Sequence, residues 1–135
     1  MLIPHLHFNG NCKEAISFYE KAFNVNVDKI VYYSDYAPEK YINDNRIAHA
    51  VMYIHGQKIF LNDRFGKKDT STDIAIHIIV MFKSKADFLS CYEIMKEGSI
   101  TVDPLETLPY SLLNVQFIDK FGVQWGFMVE EGAKE

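Results

Sequence analysis

Four of the five histidines fall in strand-like sequence. His5 and His7 sit in His5-Leu6-His7-Phe8, His49 in Ile47 to Ile54, and His77 in Ile74 to Phe82. An imidazole titrates near neutral pH, so a group of them can bind an anion, move a proton or take part in ligating a metal. A spacing of two puts His5 and His7 on one face of a strand and leaves Leu6 and Phe8 on the other. Weighed against this, His5, His7 and His49 are equally readable as polar residues on a solvated sheet face, and His77 as a hydrogen-bonded, half-buried histidine. Their convergence makes that face the candidate site. Other chemistries have weaker signals. The glycines are isolated and form no phosphate-cradling loop. Neither Cys12 nor Cys91 has a His/Asp set arranged for nucleophilic catalysis.

The elements that must position these histidines occur twice. Each copy is a strand, a short turn and a helix, first at His5 to Phe23 and again at Ile74 to Lys96, where Gly98 stops the second helix. Asn11 with Glu14, and Ser84 with Asp87, read as capping boxes. Ala15, Ile16, Tyr19, Ala22 and Phe23 form one apolar helix face, and Phe88, Cys91, Tyr92 and Met95 the other. Further strands are predicted at Val25 to Tyr33, Ile47 to Ile54, Gln57 to Asn62, Ser99 to Val102, Leu112 to Ile118 and Val123 to Val129. A two-residue His55-Gly56 turn would pair Ile54 with Gln57 and Val51 with Phe60. It places His49 beside Asn62 and Tyr53 beside Lys58, so His49, Tyr53, Lys58, Phe60 and Asn62 share the face opposite the helix. In the weakly periodic strand at 74–82, His77 shares its face with Ile79 and Met81. Residues 34–46 are predicted as a polar, tyrosine-rich loop, 104–110 as a rigid loop beside the cleft, and 130–135 as a frayed tail. The duplication implies one domain over 1–135, with module one at about 1–63, a linker at 64–73 and module two at about 74–130.

Composition narrows the class. With 48% hydrophobic and 14% aromatic residues, the chain has ample material for a core, which argues against global disorder. The formal charge of −4, with scattered basic residues, offers no stripe for nucleic acid or an anionic membrane. The longest apolar run, Ile74 to Phe82, is far short of the ~20 residues a membrane helix needs. Two cysteines inside predicted helices, without metal-type spacing, read as buried thiols, and the expectation is a cytoplasmic protein.

Four stretches carry a resemblance: Phe8 to Tyr19, Ile47-Ala-His-Ala50, Pro104-Leu-Glu-Thr107 and Asp119-Lys-Phe-Gly-Val-Gln-Trp125. They are similar to the PhnB-like branch of the vicinal oxygen chelate superfamily, which includes glyoxalase I, bleomycin-resistance proteins and extradiol dioxygenases. The resemblance implies an α+β fold of two βαβββ modules, forming a curved mixed sheet around a cleft with helices on the convex side, usually in a homodimer. Exposed sheet edges in each small module point to the same homodimer.

Metal-dependent relatives commonly use two His and two Glu, on the first and last strand of each module. Aligned by the helix starts, His77 matches a histidine position, and the first-strand position falls on Ile3 or near His5. The carboxylate positions fall on Phe60 and Gly126, so both carboxylates are missing. His5 and His77 remain as weak metal candidates only, since two neutral imidazoles leave the ion's charge uncompensated. Asn62 or Glu106 could substitute only under a different alignment. The expectation is therefore a small-molecule-binding protein with no cofactor and no assured catalysis. The alternative is a metal-dependent lyase, isomerase or dioxygenase. The candidate ligand-binding residues are His5, His7, His49, Tyr53, Phe60, Asn62, His77, Glu106 and Tyr110, and the expected partner is a small organic molecule.

Overall fold

Alternation of polar and large apolar side chains gives the first strand its two faces. In the computed structural model, which describes residues 1–64, 76–108 and 111–134, β1 (His5–Phe8) buries Leu6 and Phe8 and exposes His5 and His7. Helix α1 (Cys12–Phe23) buries Ala15, Ile16, Tyr19, Ala22 and Phe23 at helical spacing. It ends where Asn24 adopts a left-handed conformation, φ 53°. The strands β2 (Lys29–Tyr32), β3 (Ile47–Ile54) and β4 (Gln57–Asp63) complete a four-stranded sheet of order β1-β4-β3-β2. Its helix-facing side is closed by α1 packing on β3 and β4. β1 runs parallel to β4, and the other pairs are antiparallel.

The hairpin between β3 and β4 has the expected register, with Ile54 opposite Gln57, Tyr53 opposite Lys58 and Val51 opposite Phe60. Both turn residues, His55 (φ 49°) and Gly56 (φ 77°), are left-handed, the geometry that matches the strand twist in a two-residue hairpin.

The second unit repeats the plan. β5 (Ile78–Ser84), α3 (Lys85–Met95), β6 (Ile100–Leu108), β7 (Ser111–Ile118) and β8 (Gln124–Lys134) form a sheet of order β5-β8-β7-β6, with β5 parallel to β8. The Ser84 hydroxyl accepts a hydrogen bond from the Asp87 amide (3.1 Å), as predicted for this helix start. Phe82, Phe88, Phe117, Trp125 and Phe127 fill the space under α3, each 2% exposed or less. Phe127 meets Phe82 and Phe117 edge-on, with ring centroids 5.0 Å apart in each case. The fold is thus α+β, two βαβββ modules, each a mixed sheet carrying its own helix.

Several boundaries differ from expectation. Asn11 precedes α1 but makes no side-chain cap; a carboxylate from β4 does that work, as described below. β2 starts at Lys29, because the amide of Val27 is taken by Glu20 and that of Asp28 begins the pairing with β3. Tyr33, expected to end a strand, and residues 34–36, expected as loop, form a short helical turn, α2 (Tyr33–Tyr36), with Tyr33 buried. His77 lies just before β5, not within it. Pro104 to Leu108 is strand, not loop. β6 is an edge strand, where a proline without an N–H is tolerated and where three register shifts accommodate it. The predicted tail continues β8 as far as Lys134, which pairs with Ser84. The chain divides into two compact units, Met1–Ser71 and Thr72–Glu135, and their boundary falls within the predicted linker.

Candidate functional site

On the uncovered side of the first sheet, strand register assembles the site. His5 stands beside Phe60 and His7 beside Asn62 across β1 and β4, and Val51 and Tyr53 of β3 stand beside Phe60 and Lys58. The side chains meet accordingly. The His5 and His7 rings are 4.2 Å apart. Phe60 receives His5 edge-on at 5.9 Å and His49 edge-on at 4.8 Å, with the Lys58 ammonium 5.7 Å from its centroid. His7 Nδ1 and Asn62 Oδ1 are 2.6 Å apart. Burial against these neighbours, then the charges of His7 and His49, lower the pKa of His5 below the usual histidine value. This face therefore offers imidazole, amide and ammonium groups around one aromatic ring. Tyr53 lies at its margin, 41% exposed.

One residue that sequence reasoning missed holds the end of β4 in place. Asp63 follows Asn62, so it points to the opposite, helix-facing side and is 1% exposed. Its Oδ1 accepts from the amide of Cys12 at 3.0 Å, and its Oδ2 from the amide of Ile47 at 2.8 Å. One carboxylate thus satisfies an orphan donor of α1 and ties the start of β3 to the end of β4. Tyr33 adds a hydrogen bond from its hydroxyl to the Asp63 carbonyl at 2.9 Å, and desolvation raises that phenol's pKa. The Arg46 guanidinium lies 5.1 Å from the Tyr33 ring centroid and forms an ion pair with Asp44 at 2.9 Å. The signal was present, since an acidic residue at inward parity closing a strand needs partners. The sequence offered no means of choosing them.

In the second unit, His77 is half-buried, with its Nδ1 3.5 Å from the Gln124 amide nitrogen. Gly126 lies beside Ile79 and Gln116 in the sheet, and a Cβ built on it would sit 3.9 Å from His77 Nε2. Glu106 is exposed on β6, in register with Asn114. Tyr110 lies outside the described residues. So the structure gathers His5, His7, His49, Phe60 and Asn62 with Tyr53 at the edge, whereas His77 and Glu106 belong to the other unit. The two cysteines are buried. Desolvation, with the Asp63 charge, pushes the Cys12 thiol far up, and desolvation pushes Cys91 up to about 12, so neither is a ready nucleophile.

A model of the glyoxalase/bleomycin resistance protein/dioxygenase superfamily matches residues 3–127, spanning both modules. The chain belongs to that superfamily. Among solved structures, protein PA1353 from Pseudomonas aeruginosa is similar at TM-score 0.86 and 24% identity, over 100% of this chain and 98% of the other. A PhnB protein from Bacillus cereus is similar at TM-score 0.80 and 21% identity, over 95% and 98%. The fosfomycin resistance protein FosX from Listeria monocytogenes, solved with Mn(II) and sulfate, is similar at TM-score 0.63 and 10% identity, over 98% and 93%. At these identities the likeness is one of fold. No curated protein sequence matches the chain.

Superfamily members that use a metal need a set of donor side chains around it. The partner of His5 across the sheet is the Phe60 ring, and the residue beside Ile79 near His77 is Gly126. Among the described residues, no group of three His, Cys, Asp or Glu side chains is arranged to hold an ion.

Proposed function

We propose that this chain is a PhnB-like member of the superfamily that binds a small organic molecule on the open face of its first sheet. The observation that supports this is the convergence of His5 and His49 on Phe60, with His7 and Asn62 alongside and no carboxylate among them. Such a face suits a ligand with an aromatic or apolar body and an anionic or polar edge: the ring takes the body, and imidazole, amide and ammonium groups take the edge. No helix among the described residues is long and apolar enough to cross a membrane. We further read the chain as a single functional domain that acts as a homodimer. Light scattering at micromolar concentration should then give twice the 15.6 kDa chain mass.

The deciding experiment is a binding screen on untagged protein, using thermal shift and then calorimetry, with a panel of aromatic carboxylates, phenols and phosphonates. Phe60→Ala and His49→Ala should each weaken any hit at least tenfold. A hit indifferent to both substitutions removes the reading. Metal analysis of the same preparation tests the rival, a metal-dependent lyase, isomerase or dioxygenase. Stoichiometric Zn, Ni, Mn or Fe that is lost in His77→Ala would establish it instead.

A further inference from the structure

The His7–Asn62 contact fixes more than position. An amide oxygen only accepts hydrogen bonds, so at 2.6 Å the imidazole Nδ1 must be the donor. Neutral His7 is then the Nδ1–H tautomer, and its Nε2 carries the lone pair. His7 is exposed, so that lone pair is open to a ligand on the uncovered face. Asn62 itself is held in register by Asp63, the next residue, whose carboxylate is bonded into the core. This is the arrangement of an oriented base: a positioned acceptor nitrogen backed by a hydrogen-bond acceptor on the far side of the ring.

We propose that His7 is the proton-accepting group of this face, that Asn62 is its positioning residue, and that the ligand is a weakly acidic aromatic compound bound as its anion. The inference rests on the ligand-face reading above. On binding, the ligand's O–H bond breaks and an N–H bond forms at His7 Nε2. The electron pair stays on the ligand oxygen, and an imidazolium–oxyanion pair results. The imidazolium keeps its Nδ1–H on Asn62, so the proton arrives without rearrangement of the ring. Next to His7 stands His5 on its own strand, and farther along the same face His49 and Lys58 lie against Phe60. The ring of Phe60, two residues along β4 from Asn62, is placed to take the aromatic body.

A chromophoric phenol, 4-nitrophenol, tests this because its phenol and phenolate forms absorb differently. Titrated with wild-type protein across neutral pH, the bound dye should show its phenolate midpoint lowered by about one pH unit, a tenfold change in the phenolate-to-phenol ratio. The shift should vanish in His7→Gln, shrink in Asn62→Ala, and persist or grow in Asn62→Asp, which still accepts from Nδ1–H. Nitrogen NMR of the imidazoles should show His7 protonated at Nδ1 in the wild type, with that preference lost in Asn62→Ala. Saturable binding without a phenolate shift, or with a shift unchanged in His7→Gln, overturns the inference and leaves the ligand face standing. A dye that does not bind at all also overturns it, and the wider ligand panel then judges the broader reading separately.

Discussion

The two modules share a strand order and a helix but present different faces to their surroundings. The open side of the first sheet carries His5, His7, His49, Lys58 and Asn62 around Phe60. The corresponding side of the second carries Ile79 and Met81, 53% and 43% exposed, beside Gly126 and Met128. One topology thus holds a cluster of imidazoles around an aromatic ring in one copy and, in the other, exposed Ile79 and Met81 on a face shared with His77 and Gln116. Most core-facing positions are apolar in both, because they must fill space under a helix. The outward positions are free of that demand, so they are where the copies diverge and where chemistry can be written.

Each module also depends on one buried carboxylate, used differently. Asp63 joins three elements, whereas Asp119 folds a turn. The Oδ1 of Asp119 accepts from the Phe121 and Val123 amides, and its Oδ2 from the Trp125 indole at 2.9 Å. Asp63→Ala should be the most damaging change, costing about 3 kcal/mol, because it strands two backbone donors in the core. Chemical denaturation checks it, and a loss under about 1 kcal/mol would mean that water replaces the carboxylate. Asp119→Ala should cost less, about 2 kcal/mol, because two of its three partners are only partly buried. Trp125 is the sole tryptophan, so its fluorescence should move to the red in this variant and stay put in Asp63→Ala. Equal spectral changes in both would erase the proposed independence of the two anchors.

Converting one face toward the other gives a subtler test. A Cβ at Gly126 meets Ile79 at 3.5 Å and Gln116 at 3.7 Å, ordinary contacts, so Gly126→Glu should fold with less than about 1 kcal/mol of change. It places a carboxylate on the face that holds His77. Thermal shift with Mn(II) or Zn(II) should then show stabilisation absent from the wild type. No gain would mean that a single added carboxylate beside His77 is not enough to make a donor set.

The smallest expected effect is pH dependence on the histidine face. In the unfolded chain His5 protonates near the ordinary histidine value of 6.5, and in the folded chain burial makes it do so lower. Below 6.5 the unfolded state therefore binds more protons. The associated stability is complete above 6.5 and is lost as pH falls through the lowered folded value. Denaturation midpoints should drop between about pH 7.5 and about pH 5.5, and drop less in His5→Gln. An equal drop in both would shift the cause to other groups.

The sequence by itself determined the duplication, both long helices, the hairpin register and the face on which His5, His7, His49, Phe60 and Asn62 lie. These follow from short-range periodicity: a period of two assigns strand faces, 3.6 assigns helix faces, and a two-residue turn fixes pairing. Matched to the superfamily pattern, it also puts Phe60 and Gly126 where the resemblance expects carboxylates, a reading that needs only residue identity at a matched position. Only the tertiary structure decided that Asp63, not Asn11, caps α1, that Pro104 to Leu108 is an edge strand, that 130–134 continues β8, and that His7 meets Asn62. Each of these is a partnership between residues distant in the chain. Sequence can show that a buried carboxylate or an edge strand needs a partner, but which donor reaches it is a matter of three-dimensional packing.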